Sequence, residues 1–269
     1  MKRIGRVSYL IKTLSDSPNV IFPLSVFTDK FNIAKSSVSE DISKAKEIVQ
    51  EMKLGKIETI SGIHGGVKFT HFIDDEDVIK VQKSLCKVLK DENRFLGGGF
   101  LYTSDIMFNP VMAESLAKIF ARKFQNTNAD YIATIETKGI PLAMMTAKLL
   151  NIPLIVVRRE TKISEGSTVS INYFSGSSDR IQKMSMSKRS IKGGSKALII
   201  DDFMRAGGSI KGITELLSEF SISVVGVGVA IVSDIPINKK ISNYTPLIYM
   251  GEISKDKSII ELSPNFQIF

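Results

Sequence analysis

The chain of 269 residues is long enough for one large or two modest domains, and its 43% hydrophobic and 24% charged content is ordinary for a soluble globular protein. A single cysteine, Cys86, excludes an intramolecular disulfide framework, and the longest apolar stretch, 224–232, is too short to cross a bilayer, so we expect a cytoplasmic protein without a membrane partner. The net charge is +8, and residues 1–73 contribute half of it with 11 basic and 7 acidic side chains, which favours a nucleic-acid surface in that segment.

The N-terminal segment shows the periodicity of three helices. Apolar residues recur at helical spacing over 4–14 and again over 24–31. A longer helix is predicted over 37–52, where Ser37 and Glu40 match a capping box with Ser37 as the N-cap. The start of this helix carries short polar side chains, of the kind that face base edges in a major groove.

Two short strands follow, at 56–60 and 67–70, on either side of the glycine-rich turn 62–66. Three helices and a glycine-tipped hairpin indicate a winged helix-turn-helix, an α+β DNA-binding domain that we expect to end near residue 73. Basic residues are candidates for phosphate contacts and short polar residues for base contacts. The candidates are Arg3, Arg6, Lys35, Ser36, Ser37, Ser39, Lys44, His64 and Lys68.

Strands and helices alternate in the remainder of the chain, 74–269, which opens with an acidic and helical stretch. Strands are predicted at 131–135, 153–157, 197–200 and 224–232, and helices at 141–150 and 209–220. This alternation predicts an α/β domain with a doubly wound, mostly parallel sheet and helices on both faces. Ligands of such sheets bind at the carboxyl ends of the strands.

The most specific motif is the segment 197–209, in which an apolar strand ends in Asp201 and Asp202 and a glycine-rich turn leads into a helix. Adjacent carboxylates suit two neighbouring hydroxyls of a ribose. Glycines allow backbone N–H groups to approach a phosphate closely, and the helix N-terminus adds favourable dipole charge. The motif therefore predicts a site for a ribose that carries a 5-phosphate.

A second turn, Thr137-Lys138-Gly139, connects another predicted strand to its helix. Its amides, hydroxyl and lysine form a nest for a second phosphate group. Two phosphate-binding turns at one sheet edge fit phosphoribosyl pyrophosphate (PRPP), which carries a monophosphate and a pyrophosphate. No cysteine and histidine cluster has metal-ligand spacing, so we predict no metal site.

A polar segment rich in serine and lysine lies between residues 158 and 196. Insertions of this kind often close over a ligand site. Its part 168–174 is strand-like, so a flexible loop and an ordered hairpin are both open.

The motif at 197–209 resembles the PRPP signature of type I phosphoribosyltransferases, and the turn at 137–139 resembles their pyrophosphate loop. With a winged helix in front of such a domain, nearly the whole chain resembles the purine operon repressors of Gram-positive bacteria. The segments that carry this resemblance are 34–42, 65–68, 137–142, 165–173 and 197–209.

The resemblance implies a homodimeric, non-enzymatic repressor of purine biosynthesis and transport genes. PRPP, with or without Mg²⁺, would weaken operator binding, (p)ppGpp would compete for the same pocket, and no cofactor would be required. The residues assigned to the effector are Asp201, Asp202, Phe203, Met204, Arg205, Ala206, Gly207, Gly208, Ser209, Thr137, Lys138, Gly139, Arg94, Phe100, Tyr102 and Arg158. Arg205 stands where the family usually has lysine and Phe100 where it has tyrosine, so the charge and the ring are kept and the hydroxyl is lost.

An active purine phosphoribosyltransferase of xanthine or adenine type, with an accessory N-terminal domain, is the alternative. The PRPP motif fits both functions. The winged helix and the basic N-terminal segment favour the repressor.

Overall fold

The computed structural model describes residues 1–96, 100–160, 166–175, 180–253 and 260–269. The chain divides into two compact units, Met1–Asp74 with Lys148–Asn151 and Asp75–Ala147 with Ile152–Phe269. Within the described ranges, no helix is long and apolar enough to cross a membrane. Parts of the insertion predicted to cover the ligand site, 161–165 and 176–179, lie outside the described residues.

The N-terminal unit has the element order of a winged helix-turn-helix. Its elements are α1 (Arg3–Asp16), α2 (Leu24–Phe31), α3 (Lys35–Glu51), β1 (Gly55–Ile60) and β2 (Gly66–His71). The strands pair antiparallel. The predicted three helices and hairpin are confirmed, with ends that differ by at most two residues.

The three helices and the hairpin share one buried cluster, because their apolar residues recur every three or four positions along a helix and every second position along a strand. Ile4, which the periodicity also assigned to this face, is 82% exposed. The cluster consists of Val7, Leu10, Leu14, Phe27, Phe31, Val38, Ile42, Ala45, Val49, Ile57, Val67 and Phe69.

The start of α3 corrects the predicted capping box. The N-cap is Ala34, which makes no side-chain cap bond, and its carbonyl already accepts from the Val38 amide at 3.2 Å. Ser37 therefore lies inside the first turn. The reason is the short connection: Asn32 adopts a left-handed conformation that ends α2, and the next helix begins three residues later, at Lys35.

The second unit begins with α4 and contains a larger sheet. Its elements are α4 (Asp75–Leu89), β3 (Phe95–Leu96), β4 (Phe100–Leu101), α5 (Ser104–Met107), α6 (Pro110–Phe124), β5 (Tyr131–Ile135), α7 (Gly139–Leu150), β6 (Leu154–Val157), β7 (Thr168–Ser175), β8 (Arg180–Ser187), β9 (Lys196–Met204), α8 (Gly208–Ser218), β10 (Ser223–Ser233), β11 (Thr245–Ile253) and β12 (Ile260–Pro264).

Six of the described strands form one sheet in the order β12-β11-β10-β9-β5-β6. All neighbouring pairs are parallel except β11 with β12, which is antiparallel. The predicted α/β class and mostly parallel sheet are confirmed.

Alternate residues of β10 show that helices cover both faces of this sheet. Val227 and Val229 pack in the cluster that contains the apolar face of α8, whereas Gly226 and Gly228 lie against the rings of α6.

The insertion forms an antiparallel hairpin of β7 and β8, so the ordered alternative is confirmed for its described part. Sequence periodicity did not reveal α6 or the outer strands β11 and β12. β9 is also longer than predicted, and Asp201 and Asp202 belong to the strand rather than to the turn after it.

A buried ion pair joins α1 to α3 in the N-terminal unit. Asp41 is 1% exposed, and Arg6 donates to it from Nε at 2.6 Å and from Nη2 at 3.3 Å. Nε of Arg3 lies 3.2 Å from the same carboxylate. The guanidinium groups compensate the cost of burying this charge on the inner face of α3.

We expect Asp41→Ala to lower the free energy of unfolding by on the order of 1 to 2 kcal/mol, because charged hydrogen bonds are lost and the arginine end is still open to water. Hydrogen exchange of the full chain measures the effect at the α1 and α3 amides. The control is Asp16→Ala, which breaks the exposed pair with Lys12. Equal exchange rates for the two variants would contradict the structural role of Asp41.

Candidate functional site

A cleft of about 780 Å³ lies at the carboxyl ends of the central strands. β5 and β9 are neighbours in the sheet, with Ala133 opposite Ile199. Because both strands run in the same direction, the turn after β5 and the turn after β9 meet at one edge. Both turns line the cleft, as the two sequence motifs predict.

The turn after β9 is shaped by glycine. Gly207 is the residue before α8 and has φ +80°, a conformation that glycine adopts without strain. Its N-cap residue, Gly207, has no side chain to cap the helix, and the first helical residues, Gly208 and Ser209, line the cleft. Such a helix N-terminus favours an anion.

The segment after β10 supports this turn from behind. The Lys240 amide donates to the Ala206 carbonyl at 2.8 Å, and Ile241 lies so close to Gly207 that a Cβ there would be 3.1 Å from it. Lys239 Nζ donates to the carbonyl of Ser233 at the end of β10. The turn after β9 is therefore held against the segment that follows β10.

Two adjacent carboxylates form the floor of the cleft. Asp201 is buried and Asp202 is half-buried, and the Asp202 amide donates to Asp201 Oδ1 at 3.1 Å. Burial raises the pKa of Asp201 well above its usual value, and the neighbouring charge of Asp202 adds to this. Burial also raises the pKa of Asp202, opposed by Lys138. An ionised carboxylate can accept more hydrogen bonds than one backbone amide donates, and hydroxyl groups of a ligand would supply further donors.

The turn after β5 is fixed by Glu136, whose peptide bond to Thr137 is cis. Glu136 Oε1 accepts from the Arg159 amide at 2.8 Å, and Oε2 accepts from Arg158 Nη1 at 3.3 Å. Lys138 is half-buried and its Nζ lies 3.4 Å from Thr103 Oγ1. These contacts hold a hydroxyl and an ammonium at the cleft wall.

Gly139 allows α7 to begin directly against the carboxylates. A Cβ at this position would lie 2.4 Å from Asp201 Oδ1 and 2.5 Å from Thr134 Oγ1. Both distances are shorter than any real contact, so only glycine permits this approach. Gly139 acts by leaving space beneath the cleft.

Three cations surround the carboxylates. Lys138, Arg159 and Arg205 line the cleft, and the charge of Arg159 acts to lower the pKa of Asp201. The sequence assignment named Arg158 instead, but that side chain turns to Glu136. Two acidic groups on the floor and three basic groups on the walls suit a polyhydroxylated ligand with several phosphates.

Aromatic and apolar side chains line the rest of the cleft. Phe100 of β4 is 55% exposed, and Phe203 lies at the end of β9. Ile235 and Met250 contribute from the segment after β10 and from β11. This part of the cleft offers faces for a planar ring rather than for a charged group.

Most predicted effector residues therefore come together. Those that line the cleft are Phe100, Thr137, Lys138, Asp201, Asp202, Phe203, Met204, Arg205, Ala206, Gly207, Gly208 and Ser209. Gly139, Arg158, Tyr102 and Arg94 are not among its lining residues.

Arg94 is a structural residue rather than a cleft residue. Its guanidinium binds the Asp105 carboxylate through two contacts of 2.7 Å, and its Nε donates to the Val88 carbonyl at 2.9 Å. A further bond of 3.2 Å goes to the Tyr102 carbonyl. Arg94 thus joins the end of α4 to the β4–α5 segment next to Phe100 and lies outside the lining of the cleft, so its contact with the ligand stays a prediction.

Several lining residues were not predicted, among them Glu136, Arg159, Ser233, Ile235 and Met250. Glu136 directly follows β5, Arg159 is the second residue after β6, and Ser233 ends β10. The rule that ligands bind beyond the carboxyl ends of parallel strands was a signal for these three.

Among the described residues, no group of three or more His, Cys, Asp or Glu side chains is placed to hold a metal ion.

The predicted DNA-contacting residues lie on α3 and on the hairpin of the N-terminal unit, apart from the two arginines of α1. The exposed ones are Lys35, Ser36, Ser39, Lys44 and His64, and the half-buried ones are Ser37 and Lys68.

The two arginines of α1 differ from the prediction. The Arg6 side chain is 15% exposed and its guanidinium is bound to Asp41. Arg3 is more exposed but lies against the same carboxylate. Arg6 is therefore a residue of the α1–α3 contact, and its contact with DNA phosphates stays a prediction.

Two family descriptions match the chain. "Bacterial purine repressor, N-terminal" matches residues 2–71, and "Phosphoribosyl transferase domain" matches residues 103–261. Among solved structures, adenine phosphoribosyltransferase from Thermoanaerobacter pseudethanolicus has a TM-score of 0.54 at 17% identity and covers 62% of this chain and 98% of its own. That likeness shows the fold of the second unit.

Full-length relatives are named as regulators of transcription rather than as enzymes. The purine biosynthesis transcriptional repressor PurR of Bacillus subtilis is 40% identical over 269 residues, 100% of this chain and 94% of the relative. The purine biosynthesis transcriptional activator PurR of Lactococcus lactis is 36% identical over 253 residues, 94% of this chain and 93% of the relative. The chain belongs to the family of bacterial purine repressors.

Proposed function

We propose that this protein represses purine biosynthesis and transport genes by binding operator DNA, and that PRPP controls this binding from the cleft. One observation carries the proposal: two adjacent carboxylates and two turns that each lead from a strand into a helix line one cleft at one sheet edge. A ribose with phosphate groups at both ends has the matching chemistry.

In this proposal each part of PRPP meets one part of the cleft. Asp201 and Asp202 accept hydrogen bonds from the ribose hydroxyls. The amides at the start of α8 bind the 5-phosphate. The pyrophosphate binds the turn after β5, where Lys138 and Arg159 neutralise its charge.

We also propose (p)ppGpp as a competing effector. It carries phosphates on a ribose and adds a purine ring. The volume of about 780 Å³ is within the range of pockets that enclose ligands of this size, and Phe100 and Phe203 offer ring faces for the base. Both effectors would use the same anion-binding turns, so they would exclude each other.

Control of DNA binding requires that PRPP binds the free and the DNA-bound protein with different affinities. We propose a homodimer as the coupling element, because the distance between two winged helices must match the spacing of two half-sites. Binding of PRPP with or without Mg²⁺ and a cytoplasmic location stay predictions.

The second candidate is an active purine phosphoribosyltransferase of xanthine or adenine type. The match of residues 103–261 to a phosphoribosyl transferase domain favours it. The regulators that align over the whole chain favour a domain that binds PRPP without transferring its ribose.

The carboxylate pair provides the first test. We expect Asp202→Asn to weaken PRPP binding roughly 5- to 100-fold in a calorimetric titration, because a hydrogen bond to a charged group is worth about 1 to 3 kcal/mol. The control is Glu219→Gln, an exposed carboxylate beyond the other end of α8. Unchanged affinity of Asp202→Asn would exclude the carboxylates as the ribose site.

The carboxylate pair should lower the free energy of unfolding of the ligand-free protein. The raised pKa of Asp201 means that its contribution to stability is present at low pH and is lost as the pH rises through that pKa. Asp201→Asn should therefore raise the melting temperature at neutral pH by roughly 2 to 4 °C, the shift that about 1 kcal/mol produces in a chain of this size. The gain should shrink in mildly acidic buffer. A gain that does not depend on pH would contradict this account.

The neighbouring arginines form a matched pair. We expect Arg159→Ala to weaken PRPP binding roughly tenfold and to lower its salt dependence, because one cation is removed from the cleft. Arg158→Ala removes an equal charge next to Glu136 and should change PRPP affinity much less. If the two variants lost equal affinity, the assignment of Arg159 rather than Arg158 would be wrong.

Function as a whole is tested with a duplex from a purine biosynthesis promoter. We expect tight binding that saturating PRPP weakens, repression in transcription assays, and no nucleotide product from PRPP with adenine, guanine, hypoxanthine or xanthine. Turnover of about 1 per second or faster would establish the enzyme instead. Activation of transcription would reverse the proposed sign of control.

A further inference from the structure

The tip of the β1–β2 hairpin carries an apolar side chain that packs against nothing. Ile63 is 100% exposed, more than any other large hydrophobic side chain in the described part of the chain. It lies in the turn between Ile60 and Gly66, next to His64. The predicted DNA contacts of this turn did not include it.

The tip is held in one shape. The Gly65 amide donates to the Gly62 carbonyl at 2.9 Å, which closes the turn. A Cβ at Gly65 would lie 2.3 Å from the Ile60 carbonyl, so the chain is too close there for any other residue. A preformed turn pays little ordering cost when it binds.

The base of the hairpin is equally fixed. Phe22 and Val67 exchange two backbone hydrogen bonds of 2.9 Å, which adds a third segment to the two strands. Ile57 and Phe69 face each other across the strands and are buried in the core of the unit. The hairpin therefore presents Ile63 on a rigid support.

The hairpin is also positively charged. Lys56 and Lys68 flank Glu58 on the strands, and Lys46 of α3 reaches the Thr59 hydroxyl at 2.8 Å. The pKa of Glu58 is lowered mainly by its hydrogen bond with Lys56, and the charges of Lys68 and Lys46 act in the same direction. Three ammonium groups around one carboxylate leave a net charge that suits the phosphates on both sides of a DNA groove.

We propose that Ile63 enters the minor groove of the operator and packs as an apolar wedge against sugars and base edges, with the hairpin lysines on the flanking phosphates. The tip is narrow, because glycines stand at two of the positions around Ile63. A minor groove is about 6 Å wide, and inserted aliphatic side chains are a known means of opening it. This inference rests on the proposed DNA-binding function.

The test compares three variants of the full chain on a purine promoter duplex. Ile63→Ser should lower affinity roughly tenfold and leave the salt dependence unchanged, because no charge is lost. Lys68→Ala should reduce the salt slope by about 1. Met52→Ser, which alters another exposed apolar residue of the same unit, should change neither quantity.

A second duplex, with inosine in place of guanine, identifies the groove. Inosine removes an amino group from the minor groove and leaves the major-groove pattern intact. We expect it to tighten binding of the wild-type protein and to leave Ile63→Ser nearly unchanged. If wild type and Ile63→Ser bind equally, or respond equally to inosine, the wedge is overturned. If the wild type does not bind the duplex at all, the proposed function fails instead.

Discussion

The pairing of β5 with β9 is the constraint on which the cleft depends. These two parallel strands are neighbours at the centre of the sheet, so the turn after each one opens at the same edge. Gly139 makes this adjacency tight, since any side chain there would occupy the place of the Asp201 carboxylate. A single register of two strands thus sets the distance between two anion-binding turns. The proposed effector, PRPP, carries phosphate groups at two separated positions that suit this arrangement.

The charges of the cleft show the usual conflict between stability and binding. Burial raises the pKa values of both Asp201 and Asp202, and the charge of Asp202 raises that of Asp201 further, so the ionised pair is unfavourable without a ligand. The basic side chains around them, which include Lys138 and Arg159, suit a ligand with negatively charged groups. The proposed effector would satisfy both sets of groups, since PRPP carries both hydroxyls and phosphates.

The sequence predicted the parts of this protein that depend on local pattern. Periodicity located the three N-terminal helices, and the apolar run ending at Asp201 located both the central strand and the cleft at its end. The capping box at Ser37 failed because the connection after Asn32 is shorter than the pattern requires. β11 was missed, although it supplies Met250 to the cleft.

Contacts between distant residues were beyond the reach of pattern. Arg94 and Asp105 are 11 positions apart, and only the fold shows that they pair. This pairing places Arg94 outside the lining of the cleft, beside the segment that carries Phe100. Arg6 and Asp41 are a similar case, 35 positions apart. Arg158 and Arg159 are adjacent and chemically identical, so only the direction of β6 decides which of them faces the cleft.

Control from the cleft requires that the protein binds the operator less tightly when PRPP is bound than when the cleft is empty. By thermodynamic reciprocity, operator DNA must change the affinity for PRPP by the factor by which PRPP changes the affinity for the operator. A calorimetric titration of PRPP into the free protein and into its complex with a purine promoter duplex measures this factor directly. We predict weaker PRPP binding to the complex by that same factor. Identical PRPP affinity in the two titrations would contradict control of the repressor from the cleft.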